Sequence, residues 1–206
     1  MSGHTMRQSA VSFMRHSIAV HNEAAARSGP NDLESVYLCE AYADASLSDR
    51  GFSMVHDARD TLQGLQPTPD IVLTSPLTRA IQTAIAMFEG TGIPIVVLPE
   101  IREAYGRFPC DRHQDKPELV NKFDGVVDLS LMEDMDTMWN ADCREDMTHL
   151  ANRAAKFLDS VLRRGDGHVF VVSHGVFMEV VIHQLLQGYP GYDEKHRVQN
   201  CEVHSF

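Results

Sequence analysis

Apolar residues in this chain gather into four short runs, and between the runs they recur every three or four positions. The runs are "AVSFM" (10–14), "DIVLT" (70–74), "IPIVVLP" (93–99) and "HVFVVS" (168–173). Their length and apolar continuity predict buried strands, and the third is β-branched and bounded by prolines. Leu47, Gly51, Met54, Ala58, Leu62 and Leu65 follow helical spacing and predict an amphipathic helix ending near Gly64 and Pro67. "SPLTRAIQTAIAMFEG" predicts a second helix, with Ser75 as N-cap, Pro76 at the first helical position and Gly90 past the end. Met147, Leu150, Ala151, Ala154, Phe157, Leu158 and Val161 mark a third within 144–164, and "GVFMEVVIHQLLQG" a fourth after the last strand. The closing "QNCEVHSF" reads as an edge strand.

Strands alternating with helices predict an α/β fold, a three-layer α/β/α sandwich around a mostly parallel central sheet. No repeat, linker or low-complexity tract interrupts the pattern, so residues 1–206 read as a single domain. The pattern breaks down at about 100–142, an excursion with one short helix expected around "PELVNKF". An irregular stretch of that length inside a compact domain is usually functional, here as a cover for a substrate.

Composition narrows the field. The chain has 206 residues, 43% hydrophobic and 23% charged, with a formal net charge of −11. That balance argues against a nucleic-acid or anionic-membrane surface while leaving room for a local pocket that takes a phosphorylated molecule. "MSGHTMRQSA" has no apolar signal core and no run reaches transmembrane length, so a cytoplasmic protein is expected. Cys39, Cys110, Cys143 and Cys201 are widely spaced and read as reduced thiols.

Ligands of open α/β sheets bind beyond the carboxyl ends of the strands. The first strand exits into Arg15, His16 and Ser17. The second exits into Ser75, with Arg79 in the following helical turn, the third toward Glu103, and the fourth into Ser173, His174 and Gly175. Each residue alone has an ordinary reading as a turn or surface residue. Two arginines, two histidines and a carboxylate converge on one edge of the sheet, a joint pattern much less expected by accident than any one of them alone. Other signals carry less. "GDGHVF" precedes its strand, so it is no dinucleotide loop. "EDMD" reads as an acidic solvated loop. His56-Asp57 has no further ligand beside it, and the ten methionines read as packing.

"RHSIAVHN", "LSDRG", "SPLTRAIQT", "IREAYGRFPCDRH" and "VVSHG", in that order, resemble the motif series of the histidine phosphatase (phosphoglycerate-mutase-like) superfamily. "HN" (21–22), "CDR" (110–112) and "NCE" (200–202) resemble its fungal and plant phosphomutase-like branch. The resemblance implies His16 as the nucleophile that becomes phosphohistidine, Arg15, Arg79 and His174 as phosphate contacts, and Glu103 as proton donor, with Glu100 its competitor. It further implies Asn22 as a phosphate-contacting amide, with Ser17, His21, Arg112 and Gly175 as candidate substrate contacts and His113 beside them. No cofactor or metal is implied. Ser17 departs from the usual glycine, and its hydroxyl is expected to cap the next helix or bond phosphate. The function expected is hydrolysis of a small phosphate monoester through phospho-His16. Phosphoglycerate mutase-type transfer and a non-catalytic phospholigand- or protein-binding module are the alternatives. The only partner expected is the small phosphorylated substrate, and both a monomer and a homodimer paired through the C-terminal strand remain open.

Overall fold

The computed structural model describes residues 10–65, 67–163, 167–186 and 197–206. Strand β1 (Ala10–Arg15) leads into α1 (Val20–Arg27) and α2 (Leu33–Tyr37), then α3 (Asp49–Ala58) and α4 (Asp60–Gln63). Next come β2 (Ile71–Thr74), α5 (Thr78–Phe88), β3 (Ile95–Val97) and α6 (Lys116–Phe123). The chain continues through α7 (Met147–Leu162), β4 (His168–Ser173), α8 (Gly175–Leu186) and β5 (Val203–Ser205). The sheet runs β3-β2-β4-β1-β5; all neighbours are parallel except β5, which pairs antiparallel with β1 along the edge.

Side-chain alternation explains the three layers. Val11 and Phe13 of β1, Leu73 of β2 and Val169 and Val171 of β4 face one side, where α7 and α8 supply Phe157, Leu158, Phe177 and Val181. Their neighbours Met14, Val72, Phe170 and Val172 face the other, against Val55 of α3 and Ala80, Ala84 and Met87 of α5. Both faces are apolar, so the strands read as continuous apolar runs.

Three differences from the expected elements have physical causes. The helix after β2 begins at Thr78, not at Pro76. Its free N-terminus is capped from afar: Asp44 accepts from the Thr78 backbone N–H at 2.8 Å and from the Thr78 hydroxyl at 2.6 Å. The helix expected over 47–65 breaks after Ala58, where the Arg59 N–H bonds the His56 carbonyl in a tighter turn. "EDMD" is not wholly solvated: the side chain of Asp136 is 5% exposed and paired with both terminal nitrogens of buried Arg102, at 2.7 and 2.6 Å. The helix around "PELVNKF" forms as α6, whereas Arg164 and Gln187-Gly188, included in expected helices, lie outside the described residues. Among the described residues no helix is long and apolar enough to cross a membrane.

Candidate active site

Strand register brings the chemistry together. Arg15 of β1 is level with Ser173 of β4, and Thr74 of β2 with Val172, so three neighbouring strands end side by side. The His16 N–H continues the ladder to the Ser173 carbonyl at 2.8 Å. His16 and His174 follow at once, with ring centroids 4.9 Å apart. A cavity of about 350 Å³ opens above these ends, a volume suited to a small molecule. Arg15, His16, Arg79 and Glu103 line its floor, and His21, Asn22 and Gly175 also line it.

The quoted motifs can be read as the scaffold of one loop. Thr83 of "SPLTRAIQT" accepts from the Ser17 N–H at 3.0 Å and donates to the Arg79 carbonyl at 2.7 Å. Gln82 accepts from the Leu47 N–H at 2.7 Å. In "LSDRG", Ser48 caps α3 through the Gly51 N–H, and a Cβ on Gly51 would fall 2.1 Å from the Ile18 carbonyl oxygen. Behind the loop, Asn200 donates to the His16 carbonyl at 2.7 Å, and the Cys201 N–H to the Arg15 carbonyl at 3.0 Å.

This scaffold fixes the tautomer of His16. Its Nδ1 is 2.6 Å from the Ser17 carbonyl, which can only accept, so Nδ1 carries the proton. Nε2 keeps its lone pair and accepts from Nε of Arg79 at 3.1 Å. Burial, with Arg79 and Arg15 nearby, holds the His16 ring well below the usual imidazole range, so it is neutral. His174 is pushed down in the same way by burial and then Arg79 and His16. Its Nε2 lies 2.7 Å from the Ser75 hydroxyl. Burial and the same arginines push His21 down to about 2.

Glu103 is 9% exposed. Its Oε1 accepts from Ala104 at 2.9 Å and Phe177 at 3.2 Å, and its Oε2 from Val176 at 3.1 Å. Burial and the Asp111 carboxylate raise the carboxyl nonetheless, outweighing these N–H groups and Arg144. Glu100 is exposed and lies outside the cavity. Three buried atoms around the floor have no partner: Arg15 Nε, His21 Nδ1 and His174 Nδ1. Arg15 and His21 line the cavity, where an oxyanion would satisfy their unpaired donors, whereas His174 is not among the lining residues.

The structure separates the remaining candidates. The Ser17 hydroxyl neither caps α1 nor faces the cavity; it donates to the Gly51 carbonyl at 2.8 Å. Ser17→Gly therefore removes one buried hydrogen bond and adds chain freedom, with an expected loss of about 1–2 kcal/mol in urea unfolding and little change in kcat. A large change in kcat would place the hydroxyl in the chemistry. Arg112 is also turned away, paired with Glu40 at 2.7 Å and lying 4.8 Å over the Trp139 ring. His113 is held by the Gln114 carbonyl and Asp136. Pattern reading missed Asp111 and Arg144, which reach the cavity from the excursion, and Tyr37 and Phe108, whose rings stand 5.5 Å apart in its wall. No periodic signal marks them, since each lies outside a core stripe.

The neutral histidines set a pH dependence. His16, His21 and His174 bind fewer protons folded than unfolded below the ordinary value of 6.5. Their burial therefore costs stability as pH falls below about 6.5, by up to ~1.4 kcal/mol per pH unit for each ring. Asp44, raised to about 6, and Glu103 act in the opposite direction, whereas His113, pushed down by burial and Arg102, adds to the three rings, two groups against four. Thermal unfolding followed by circular dichroism should show a midpoint that falls from pH 7 to pH 5. A flat or rising midpoint would mean that these rings are charged in the folded state.

Comparison with known proteins assigns the chain to a family. Residues 15–206 match the histidine phosphatase superfamily (branch 1). Phosphoglycerate mutase-like protein 1 of Arabidopsis thaliana is 28% identical over 228 residues, covering 94% of this chain and 78% of the relative. A second Arabidopsis thaliana protein, phosphoglycerate mutase-like protein, is 27% identical over 210 residues, covering 87% and 74%. Among solved structures, ecdysone phosphate phosphatase from Bombix mori, complexed with tungstate, superposes with a TM-score of 0.65 at 16% identity, covering 96% of this chain and 88% of that one. The alpha-ribazole phosphatase from Shigella flexneri gives 0.62 at 18% identity, covering 95% and 89%. With its mostly parallel five-stranded sheet and a family match spanning all but the first fourteen residues, the chain belongs to the histidine phosphatase superfamily.

Proposed function

We propose that the protein is a phosphomonoesterase that works through a phosphohistidine on His16. The observation that carries this reading is the neutral His16 ring in the cavity lining, its Nδ1 proton held by Ser17 and its Nε2 lone pair turned to Nε of Arg79. A monoester phosphate fits against the guanidiniums of Arg15 and Arg79, which line the cavity. As the phosphate enters, Nε of Arg79 turns from Nε2 to a phosphate oxygen; the freed Nε2 attacks phosphorus, the P–O ester bond breaks, and Glu103 gives its proton to the departing oxygen. The alcohol leaves. Glu103, now a carboxylate, takes a proton from water; the water oxygen attacks phosphorus and the P–N bond breaks. Inorganic phosphate departs and His16 is neutral again. Charge stabilisation by the arginines carries most of the acceleration, as phosphoryl transfer requires. Phosphatase activity in the names of the structural neighbours supports hydrolysis.

Mutase-type transfer uses the same groups but returns the phosphoryl to substrate, and two relatives are named phosphoglycerate mutase-like. One assay separates the readings: phosphate release across sugar phosphates, nucleotides, glycolytic acids and phosphopeptides, with isomerisation of 3-phosphoglycerate followed in parallel. Release with an acid-labile phosphoenzyme supports hydrolysis. Isomerisation without release supports the mutase. Phosphate binding without turnover across the panel would leave a non-catalytic binding module.

A further inference from the structure

Asp111 is an acidic residue in the wall of a cavity lined by Arg15, Arg79, Arg144 and Arg197 as well as Glu103 and Glu179, and the steps above do not use it. It is 5% exposed and sits at the end of a single turn of 3-10 helix, Pro109–Asp111. Its two carboxylate oxygens serve different cations: Oδ1 accepts from Nη2 of Arg79 at 2.9 Å, Oδ2 from Nη1 of Arg144 at 3.0 Å. The turn itself is clamped. Nη1 of Arg79 donates to the Cys110 carbonyl at 2.5 Å and Nη2 of Arg102 to the Asp111 carbonyl at 3.1 Å, while Arg102 is anchored on Asp136. Arg144 also lies over the Phe108 ring, 4.6 Å from its centroid.

We propose that Asp111 is a positioning residue of this reaction, bridging Arg79 and Arg144 so that two like charges converge on one cavity in fixed orientation. The assignment rests on the hydrolase reading above. Without the bridge, Arg79 loses one of the three partners that aim its fork, and Arg144 is repelled from its neighbour. Asp111 has a second effect through its charge. Glu103 lines the cavity together with Asp111 and Arg144 of the excursion and Glu179 of α8; it accepts from the backbone N–H groups of Val176 and Phe177 of α8, and Arg153 of α7 donates to its carbonyl at 3.2 Å. Asp111 is the acidic neighbour that raises Glu103, and it favours the protonated form on which departure of the alcohol depends.

Asp111→Asn tests both effects. Its amide oxygen can keep Arg79, but the –NH2 then meets the N–H of Arg144 and the bridge fails. For an alkyl phosphate ester, kcat is expected to fall about 10²-fold. The alkaline limb of its pH profile is expected to move about one pH unit lower, because an uncharged neighbour lets Glu103 ionise earlier. Inhibition by inorganic phosphate should be as tight as in the wild type or tighter, since a negative charge has left the wall. A merely structural residue would weaken phosphate binding together with kcat. Asp111→Glu keeps the charge but not the reach: kcat falls while the alkaline limb stays, and this variant carries the test if Asp111→Asn does not fold. Wild-type kcat in either variant, or loss of phosphate binding in step with kcat, overturns the assignment. A wild-type protein that releases no phosphate overturns the hydrolase reading and the assignment with it.

Discussion

His16→Ala is expected to abolish turnover, lowering kcat for any accepted phosphate monoester by about 10⁴-fold or more. The size follows from the geometry, because among the described residues no other can take over the step. His21 has Nε2 tied to Asn22, His174 has Nε2 against Ser75 and is not a lining residue, burial and Asp111 push the Cys110 thiol up to about 12, and no described lysine lines the cavity. The arginines remain, so inorganic phosphate should still bind and protect the variant against heating. Rapid acid-free quenching with labelled substrate should trap a phosphoenzyme in the wild type and none in His16→Ala. A labelled variant, or one with normal kcat, would end the covalent mechanism while leaving the fold and the family intact.

The second large effect belongs to Glu103→Gln, and it depends on the leaving group. An alkoxide is a poor leaving group without a proton, so loss of the acid should cost an alkyl ester about 10²–10⁴-fold in kcat. A nitrophenolate departs unaided, and p-nitrophenyl phosphate should lose far less in the first step. The amide oxygen can accept from Ala104 and Phe177 as Oε1 does, whereas the amide nitrogen would face the Val176 N–H. Phosphoenzyme should accumulate with p-nitrophenyl phosphate, because the same residue activates water. Equal losses for both esters, with no accumulation, would show that Glu103 does not handle the proton.

The strand exits were legible because short apolar runs mark strands, and residues directly after them inherit a position. That logic reached Arg15, His16, Ser75, His174 and Gly175 from local spacing, and the resemblance chose Glu103 over Glu100. The helix start at Thr78 was illegible for the opposite reason. Ser75 and Pro76 form a sound local start signal, but the cap comes from Asp44, thirty-four residues earlier. Nothing in a local window reveals such a partner. The excursion carries the same lesson twice. Arg112 stands within the quoted motif yet turns to Glu40, while Arg144, outside every motif, enters the cavity because Asp111 holds it. Irregular segments take their placement from tertiary pairs, and a pair is visible only when both members are in place.

The lock behind His16 also sets an order of assembly. The loop that carries His16 is fastened by Asn200 and Cys201, about 184 positions further along the chain. A chain emerging from the ribosome can form β1 and pack α5 long before that fastening exists. Contacts of such sequence separation close late. Competence for phosphoryl transfer should therefore appear in one step when residues around 200 dock, and a nascent chain would carry His16 without the geometry to use it.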